Sequence, residues 1–227
     1  MKITKYPQSC FLLESKGEKI IIDPGNMVKT HMSDFDINSW TNIDIILITH
    51  KHSDHCDAEL VKEIQNQNPN ALIYTNSEVA QILKENGINT NVVKENDNLE
   101  FNDIKVEVTP AQHGYLYLMK GGKFPKENIG YIIDDGKHRV YHTSDTIMFE
   151  HNLKADIVLA PISGHNVVLE PLCAIEFANN DIGADLLIPC HYEHENHPIG
   201  TSWFEEAAKK LNFTKYKILQ NGESIEI

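Results

Sequence analysis

The sequence predicts a layered α/β protein in which β-sheets are covered by helices. Short apolar runs rich in β-branched residues recur along the chain, as expected of buried strands. Helical segments alternate with these runs from about residue 57 onward. No linker rich in Pro, Gly or Ser divides the 227 residues, so we expect a single domain spanning 1–227.

The first half of the chain is expected to contain five strands and two helices. The turn signal Lys16-Gly17 separates the first two strands. Asp57 is expected to cap the first helix, and the second helix is expected to begin at a Ser77 cap and to stop at Gly87. The predicted strands are CFLLES (10–15), KIIIDPG (19–25), IDIILI (43–48), ALIYTN (71–76) and IKVEVTPA (104–111).

The second half continues with strands and helices in the same alternation. Two apolar runs on either side of residue 137 predict a hairpin. Helices are expected near 170–180 and around 202–211. The predicted strands are IGYIIDDG (129–136), HRVYHTSD (138–145), ADIVLAPIS (155–163), ADLLIPCHY (184–192) and a closing strand, KYKILQ (215–220).

Charge and cysteine usage limit the partners and the compartment. The chain has 20 basic and 33 acidic residues and a net charge of −13, which disfavours nucleic acids and anionic membranes as partners. Its four cysteines are scattered without a C-x-x-C pair, which predicts free thiols. The sequence has neither an apolar signal core nor a run of 18 apolar residues. We expect a soluble, cytoplasmic protein with a small-molecule substrate, and a homo-oligomer is compatible with the sequence.

The stretch ITHKHSDHCD, residues 48–57, concentrates five candidate ligand side chains in eight positions. The cluster directly follows the buried run IDIILI, so it begins where a strand ends. His50 and His52 are two residues apart, which puts them on the same side of an extended chain but on different faces of a helix. A solvated charged loop is the alternative, but such a loop rarely places three His and one Asp in six residues. The cluster predicts a metal site.

Three later polar residues also follow predicted strands. His113 follows VEVTPAQ, Asp145 ends RVYHTSD, and His191 ends ADLLIPCH. Each of the three alone is more often a hydrogen-bonded polar residue than a ligand. Ligands of α/β sheets bind outside the carboxyl ends of strands, so we expect these side chains to meet the first cluster.

The run HKHSDH, together with His113, Asp145 and His191, resembles the H-x-H-x-D-H signature of the metallo-β-lactamase superfamily. The motifs SDT around Asp145, PISGH ending at His165 and PCHY around His191 are similar to hydrolases related to ascorbate-6-phosphate lactonase. Ser144 stands where those relatives commonly have Gly. The resemblance implies a four-layer αββα sandwich with a metal site at one edge.

The resemblance also implies two divalent metal ions, Zn²⁺ first and Mn²⁺, Fe²⁺ or Ni²⁺ as alternatives. One ion would be held by His50, His52 and His113, and the other by Asp54, His55 and His191. Asp145 would bridge them. A hydroxide bridged by the two ions would then cleave a small, anionic ester, lactone, amide or phosphoester.

Further roles follow from the same resemblance. Asp54, Asp145 and His165 are expected to be catalytic. His165 and Asn166 are expected to contact the substrate, with a structural loop as the alternative for this pair. The residues of the stretch 114–128, which include three lysines, predict either a segment that covers the site and offers positive charge to an anionic substrate or a mobile solvated hairpin. Tyr115 in this stretch is expected to contact the substrate. Asp23 either orients a metal ligand or initiates a turn before Pro24.

Two other functions remain open at this point. A nuclease of the same superfamily needs a basic groove or an added domain, and the charge of −13 speaks against it. A non-catalytic metal sensor would keep the ligands without chemistry. His194 and His197 are expected to be loop residues, and Cys56 and Cys190 are expected to be small buried side chains.

Overall fold

Two mixed β-sheets pack face to face, and helices cover the outer face of each, in the computed structural model, which describes residues 1–194 and 199–227. The predicted αββα sandwich is therefore confirmed. The five α-helices of the described residues are α1 Met27–His31, α2 Ala58–Gln67, α3 Ser77–Glu85, α4 Pro171–Glu176 and α5 Thr201–Lys210. Short 3₁₀ segments lie at Ile37–Ser39 and Tyr117–Met119, and a π-helical turn, Phe177–Ile182, continues α4.

The first sheet has seven strands in the order β13-β1-β2-β3-β4-β5-β6. Its strands pair antiparallel from β13 to β3 and parallel from β3 to β6. The strands are β1 Lys2–Lys5, β2 Phe11–Ser15, β3 Glu18–Ile22, β4 Ile45–Ile48, β5 Leu72–Thr75, β6 Asn91–Val92 and β13 Ser224–Glu226.

The second sheet has six strands in the order β12-β11-β10-β9-β8-β7. It is antiparallel from β7 to β10 and parallel from β10 to β12. The strands are β7 Asn98–Phe101, β8 Ile104–Pro110, β9 Ile129–Asp134, β10 Arg139–His142, β11 Ile157–Pro161 and β12 Leu186–Cys190.

Alternate side chains of the inner strands enter different cores. In β4, Ile45 and Leu47 pack between the two sheets, whereas Ile46 and Ile48 pack beneath α1, α2 and α3. Strand β11, which lies next to the edge strand β12, divides its side chains in the same way between the inter-sheet core and the core beneath α4 and α5. Successive side chains of a strand point to opposite faces, so a strand buried on both faces appears as a continuous apolar run. This explains the run IDIILI.

The prediction of a closing strand over 215–220 is wrong. Tyr216 forms only an isolated parallel bridge with Leu187. Leu219 packs in the inter-sheet core and Ile218 packs against the core of the other face. The alternating pattern therefore reflects packing on two sides without a hydrogen-bonded ladder. The strand that closes the chain is β13, which pairs with β1.

Smaller differences concern element ends and short strands. Asn76, not Ser77, caps α3, because its Oδ1 accepts a hydrogen bond from Val79 N at 3.0 Å. Asp57 caps α2 as predicted. The sequence does not predict the strands β1, β6, β7 and β13, because these segments of two to four residues contain polar residues and lack the apolar runs that mark β4 and β5. No helix in the described part of the chain has the length and apolar character needed to cross a bilayer.

The turn between β9 and β10 is held by Asp135, which is 4% exposed. Its carboxylate accepts hydrogen bonds from Ser15 Oγ at 2.6 Å, Lys137 N at 3.0 Å and His138 N at 2.8 Å. Burial alone would raise the pKa of this carboxyl, but these donors outweigh burial and lower it. A lowered folded-state pKa contributes stability that is present above the unfolded-state pKa and is lost as the pH falls through the folded-state value.

We therefore expect Asp135→Asn to lower the free energy of unfolding by about 1 kcal/mol at pH 7, and by less at pH 3. Urea unfolding at both pH values measures the difference. Asp103→Asn, an exposed aspartate in the turn after β7, is the matched control and should change little at either pH. An equal loss for Asp135→Asn at both pH values would contradict the role of its charge.

Candidate metal centre

Four strand ends bring the predicted ligands together at one edge of the sandwich. Residues 50–55 follow β4, and His113, Asp145 and His191 follow β8, β10 and β12. The side chains form two groups in which the ligand atoms lie within 4.8 Å of one another. The first group contains His50, His52, His113 and Asp145, and the second contains Asp54, His55 and His191. Convergence of the strand ends was predicted from the sequence, and the structure places all seven residues in these groups.

Asp145 belongs to the first group and also borders the second. Its Oδ2 atom is 3.5 Å from His113 Nε2 in the first group and 3.3 Å from His191 Nε2 in the second. Its Oδ1 atom is 3.2 Å from His55 Nε2. Asp54 lies on the far side of the second group, with Oδ2 3.2 Å from His191 Nε2. A carboxylate in the position of Asp145 can contact cations in both groups.

One nitrogen of each histidine is engaged outside the cluster. His113 Nδ1 donates to Gly114 O at 2.7 Å, and His191 Nδ1 lies 2.9 Å from the hydroxyl of Ser163. The opposite nitrogen, Nε2, is thereby turned toward the cluster in both residues. His52 is reversed, since its Nε2 donates to Lys123 O at 3.0 Å and its Nδ1 lies 3.0 Å from His50 Nε2.

Asp23 orients two of the histidines from behind. It is fully buried, and its Oδ2 atom is 2.7 Å from both His55 Nδ1 and Thr49 Oγ1. Since the Thr49 hydroxyl donates its proton to Asp23, its oxygen accepts from His50 Nδ1 at 3.1 Å. The backbone of Asp23 is left-handed, with φ 50°, and its carbonyl accepts from Gly25 N in a tight turn. Both sequence interpretations of Asp23 therefore describe the same residue.

The inner atoms of the cluster have the character of metal ligands. Four buried atoms meet no partner in hydrogen-bonding geometry among the described residues: His55 Nε2, His113 Nε2, His191 Nε2 and Asp145 Oδ1. Burying a polar atom without a partner costs about 1–3 kcal/mol. These atoms face one another across short distances, and imidazole nitrogens with carboxylate oxygens are the donor set of zinc and related divalent metals. The residues present fit such ions.

The protonation equilibria of the cluster reflect dense, buried charge. Burial lowers the pKa of His191, but Asp145 and Asp54 outweigh burial and raise it to about 10. Burial also raises the pKa of Asp145, and the neighbouring His191 and His55 hold it well below its usual value. Burial and the proximity of His55 lower the pKa of His50 well below its usual value. Metal ions bind deprotonated imidazole, so binding of ions to these residues at neutral pH would release protons.

The predicted substrate residues lie beside the ligand cluster. His165 and Asn166 are exposed and have left-handed backbones, with φ 58° and 60°. They line a cavity of about 400 Å³ together with residues 147–148, 164, 168–170 and 173, and the ligand residues lie outside this lining. The link to the cluster is through the backbone, because Gly114 N, next to His113, donates to Val167 O at 2.8 Å.

The stretch 114–128 also borders the cluster. Tyr115 is 53% exposed and makes an edge contact with Phe124, which in turn contacts the ring of His113. A cavity of about 870 Å³ adjoins this segment and is lined by His113, Phe124, Lys94 and Lys126 among others. The segment thus contacts two of the predicted ligands: Phe124 touches the ring of His113, and the carbonyl of Lys123 accepts a hydrogen bond from His52.

The remaining predicted residues are placed as follows. Cys56 and Cys190 are buried, and all four cysteines are free thiols, as predicted. His194 lies outside helices and strands and lines a cavity of about 330 Å³ together with Asp54. His197 lies outside the described residues.

Sequence reasoning missed several polar partners of the ligands. The hydroxyl of Thr49 contacts Nδ1 of the next residue, His50, and the hydroxyl of Ser163 contacts Nδ1 of His191. In both cases the sequence signal is a hydroxyl residue directly after an apolar run. Gln8 donates to Asp54 Oδ2 at 3.2 Å across 46 residues of sequence. Nothing in the local pattern YPQSC indicates that contact.

Comparisons with known proteins agree with this geometry. A family model described as the beta-lactamase superfamily domain matches residues 2–191. A UPF0173 metal-dependent hydrolase of Thermoplasma volcanium is 32% identical over 203 residues, covering 85% of this chain and 83% of that protein. A UPF0173 metal-dependent hydrolase of Bacillus cereus strain B4264 is 30% identical over 240 residues and covers 100% of both chains.

The fold is also similar to solved structures. Igni18, described as a novel metallo hydrolase from the hyperthermophilic archaeon Ignicoccus hospitalis, aligns with a TM-score of 0.74 at 22% identity. The alignment covers 99% of this chain and 97% of that one. At this identity the likeness concerns the fold.

Proposed function

Because this chain belongs to the metallo-β-lactamase superfamily, we propose that it is a dinuclear metal-dependent hydrolase of small anionic molecules. The observation that carries the proposal is the pair of ligand groups with Asp145 between them. A single structural metal would need only one such group. We also propose that residues 1–227 act as one hydrolase domain, in the reducing cytoplasm that four free thiols favour.

Each group would hold one ion. His50, His52 and His113 supply three nitrogens to the first, and Asp54, His55 and His191 supply two nitrogens and one carboxylate to the second. Asp145 would bridge them. Zn²⁺ suits this donor set best, with Mn²⁺, Fe²⁺ and Ni²⁺ as alternatives. When bound, such a pair of ions lowers the pKa of a water molecule to about 7 and polarises the oxygen of the scissile group.

The chain's own residues orient the reactants. The side chain of Asp54 is 17% exposed, whereas that of Asp145 is 3% exposed. Asp54 is therefore the carboxylate that water reaches more easily, and it would accept the proton of the attacking water. Asp145 holds the two ligand groups in register through its two oxygens. His165 would bind or protonate the substrate from the loop that follows β11, with Asn166 beside it.

Two lysines at one entrance support an anionic substrate despite the acidic chain. Lys94 and Lys126 line the cavity of about 870 Å³ that adjoins His113, together with Glu95 and Glu127. The carboxylate of Glu127 is engaged by the backbone and hydroxyl of Ser77. Both lysine side chains are exposed, so they can approach a carboxylate or phosphate at that entrance. Tyr115 would contact the substrate from the same segment. Esters, lactones, amides and phosphoesters all fit hydrolysis at such a centre.

The proposal is tested by metal analysis followed by a substrate screen. We expect about two divalent ions in each reconstituted chain. A panel of lactones, carboxylic esters, amides and phosphoesters, assayed with each of the four metals, should show turnover that a chelator abolishes and added metal restores. Two bound ions without turnover of any member would favour a sensor, and cleavage of RNA at low salt would favour a nuclease. Either result would overturn the proposed activity.

A further inference from the structure

Gln8 forms hydrogen bonds to two separate segments that carry ligands of the second group. Its side chain is fully buried between β1 and β2. Its Nε2 atom donates to Asp54 Oδ2 at 3.2 Å, and its Oε1 atom accepts from Glu193 N at 3.0 Å, two residues after His191. Its backbone carbonyl also accepts from His191 N at 3.1 Å. One residue thus connects Asp54 to the segment of His191.

A buried ion pair supports Gln8 from behind. Lys5 is fully buried, and its ammonium donates to a carboxylate oxygen of Glu193. The ammonium also donates to Asn221 Oδ1 at 2.8 Å and lies 4.8 Å from the centre of the Tyr192 ring. The other carboxylate oxygen of Glu193 accepts from Gln8 N at 3.0 Å. The Glu193 side chain is 15% exposed, so its removal would leave the buried Lys5 ammonium without a compensating charge. The contacts with Lys5 and with Gln8 N hold the two oxygens of Glu193 in place.

The backbone of Gln8 is held in an unfavourable conformation. Its φ of 59° lies in the left-handed region, which residues other than Gly, Asn and Asp rarely occupy. Such strain persists only where surrounding contacts enforce it, and it clusters near functional sites. The contacts that enforce it here are those to Asp54, His191 and Glu193.

We propose that Gln8 is a positioning residue that sets the affinity of the second ligand group, Asp54, His55 and His191, for its ion. The inference rests on the dinuclear function proposed above. The amide nitrogen fixes Asp54 Oδ2, the carboxylate oxygen that faces His191, and the amide oxygen fixes the segment that carries His191. The hydrogen bonds of Gln8 do not extend to His50, His52 or His113 among the described contacts, so its influence is confined to one ion.

The side chain is tested with Gln8→Met, which keeps its length and the backbone hydrogen bonds and removes both amide contacts. Titration of metal-free protein with Zn²⁺ in competition with a chromophoric chelator yields the two dissociation constants. We expect the ion of the second ligand group to bind about 10- to 100-fold more weakly, as is usual when a residue that orients a ligand is removed. The ion of the first ligand group should keep its affinity within about threefold. In Co²⁺ absorption spectra, only the bands of the ion held by the second ligand group should change.

Gln81→Met is the matched control. Gln81 lies on the exposed face of α3, and its Nε2 atom also donates to a carboxylate oxygen, Glu85 Oε1, at 2.9 Å. The same substitution there should leave both dissociation constants unchanged. Gln8→Asn covers the case in which Gln8→Met does not fold. Asn tolerates the left-handed backbone, and its shorter side chain withdraws the amide from Asp54.

The outcomes separate this inference from the proposed function. Wild-type protein that takes up fewer than two ions would refute the dinuclear function and the inference with it. Wild-type protein with two ions, and a Gln8 variant with unchanged affinities or an equal loss at both sites, would overturn the inference alone. A variant that only melts at a lower temperature, with both affinities intact, would assign Gln8 a purely structural role and would likewise overturn it.

Discussion

Asp145→Asn is expected to reduce the metal content from about two ions per chain to about one and to lower kcat by about 100-fold or more. The substitution preserves the shape of the side chain and removes its negative charge. That charge faces both ligand groups, through Oδ1 at 3.2 Å from His55 and Oδ2 at 3.5 Å from His113. An amide cannot offset two cations, and its N–H group would point a donor at one of them.

The measurement compares metal stoichiometry, melting temperature and turnover of one responsive substrate. Asp135→Asn is the matched control, because Asp135 is also buried and also holds a turn of the second sheet, but lies before β10 whereas Asp145 follows it. The control should lose stability and keep its metal and its activity. An Asp145→Asn protein with two ions and near-normal turnover would show that Asp145 serves only as a turn residue.

His191→Ala is expected to abolish binding of the second ion and to reduce turnover to near background. It removes a nitrogen that lies 3.2 Å from Asp54 Oδ2 and 3.3 Å from Asp145 Oδ2, so the second group retains only one imidazole. Two protein ligands and a shared carboxylate bind Zn²⁺ far more weakly than a complete set. Elemental analysis should find about one ion per chain.

His113→Ala is the reciprocal variant, since His113 belongs to the first group. It should remove the other ion, and a comparison of Co²⁺ spectra of the two variants distinguishes the sites. His151→Ala serves as the control, because His151 packs against Phe177 in the outer helical layer. It should keep both ions. An unchanged metal count in His191→Ala would refute the two-ion assignment.

Local sequence determined much of the ligand arrangement. The run HKHSDH follows a strand that is buried on both faces, and a fully apolar run of that kind is recognisable without a structure. The later ligands also follow apolar runs, and parallel strands deliver their carboxyl ends to one edge. These features depend on neighbours in sequence, so pattern and spacing predict them. The αββα order of the layers came from the resemblance carried by the same residues.

Contacts between distant segments were decided only by the tertiary structure. Gln8 reaches Asp54 and Glu193 across 46 and 185 residues, and no local periodicity encodes such a contact. The closing strand was misplaced for a related reason: residues 215–220 alternate because they pack between two cores, and only the positions of the sheets reveal that no ladder forms. Sequence patterns therefore predicted which polar side chains follow the ends of strands, because burial and period are local properties. Which oxygen of Asp145 faces which histidine, and what holds Asp54 in place, depends on packing between segments far apart in the chain.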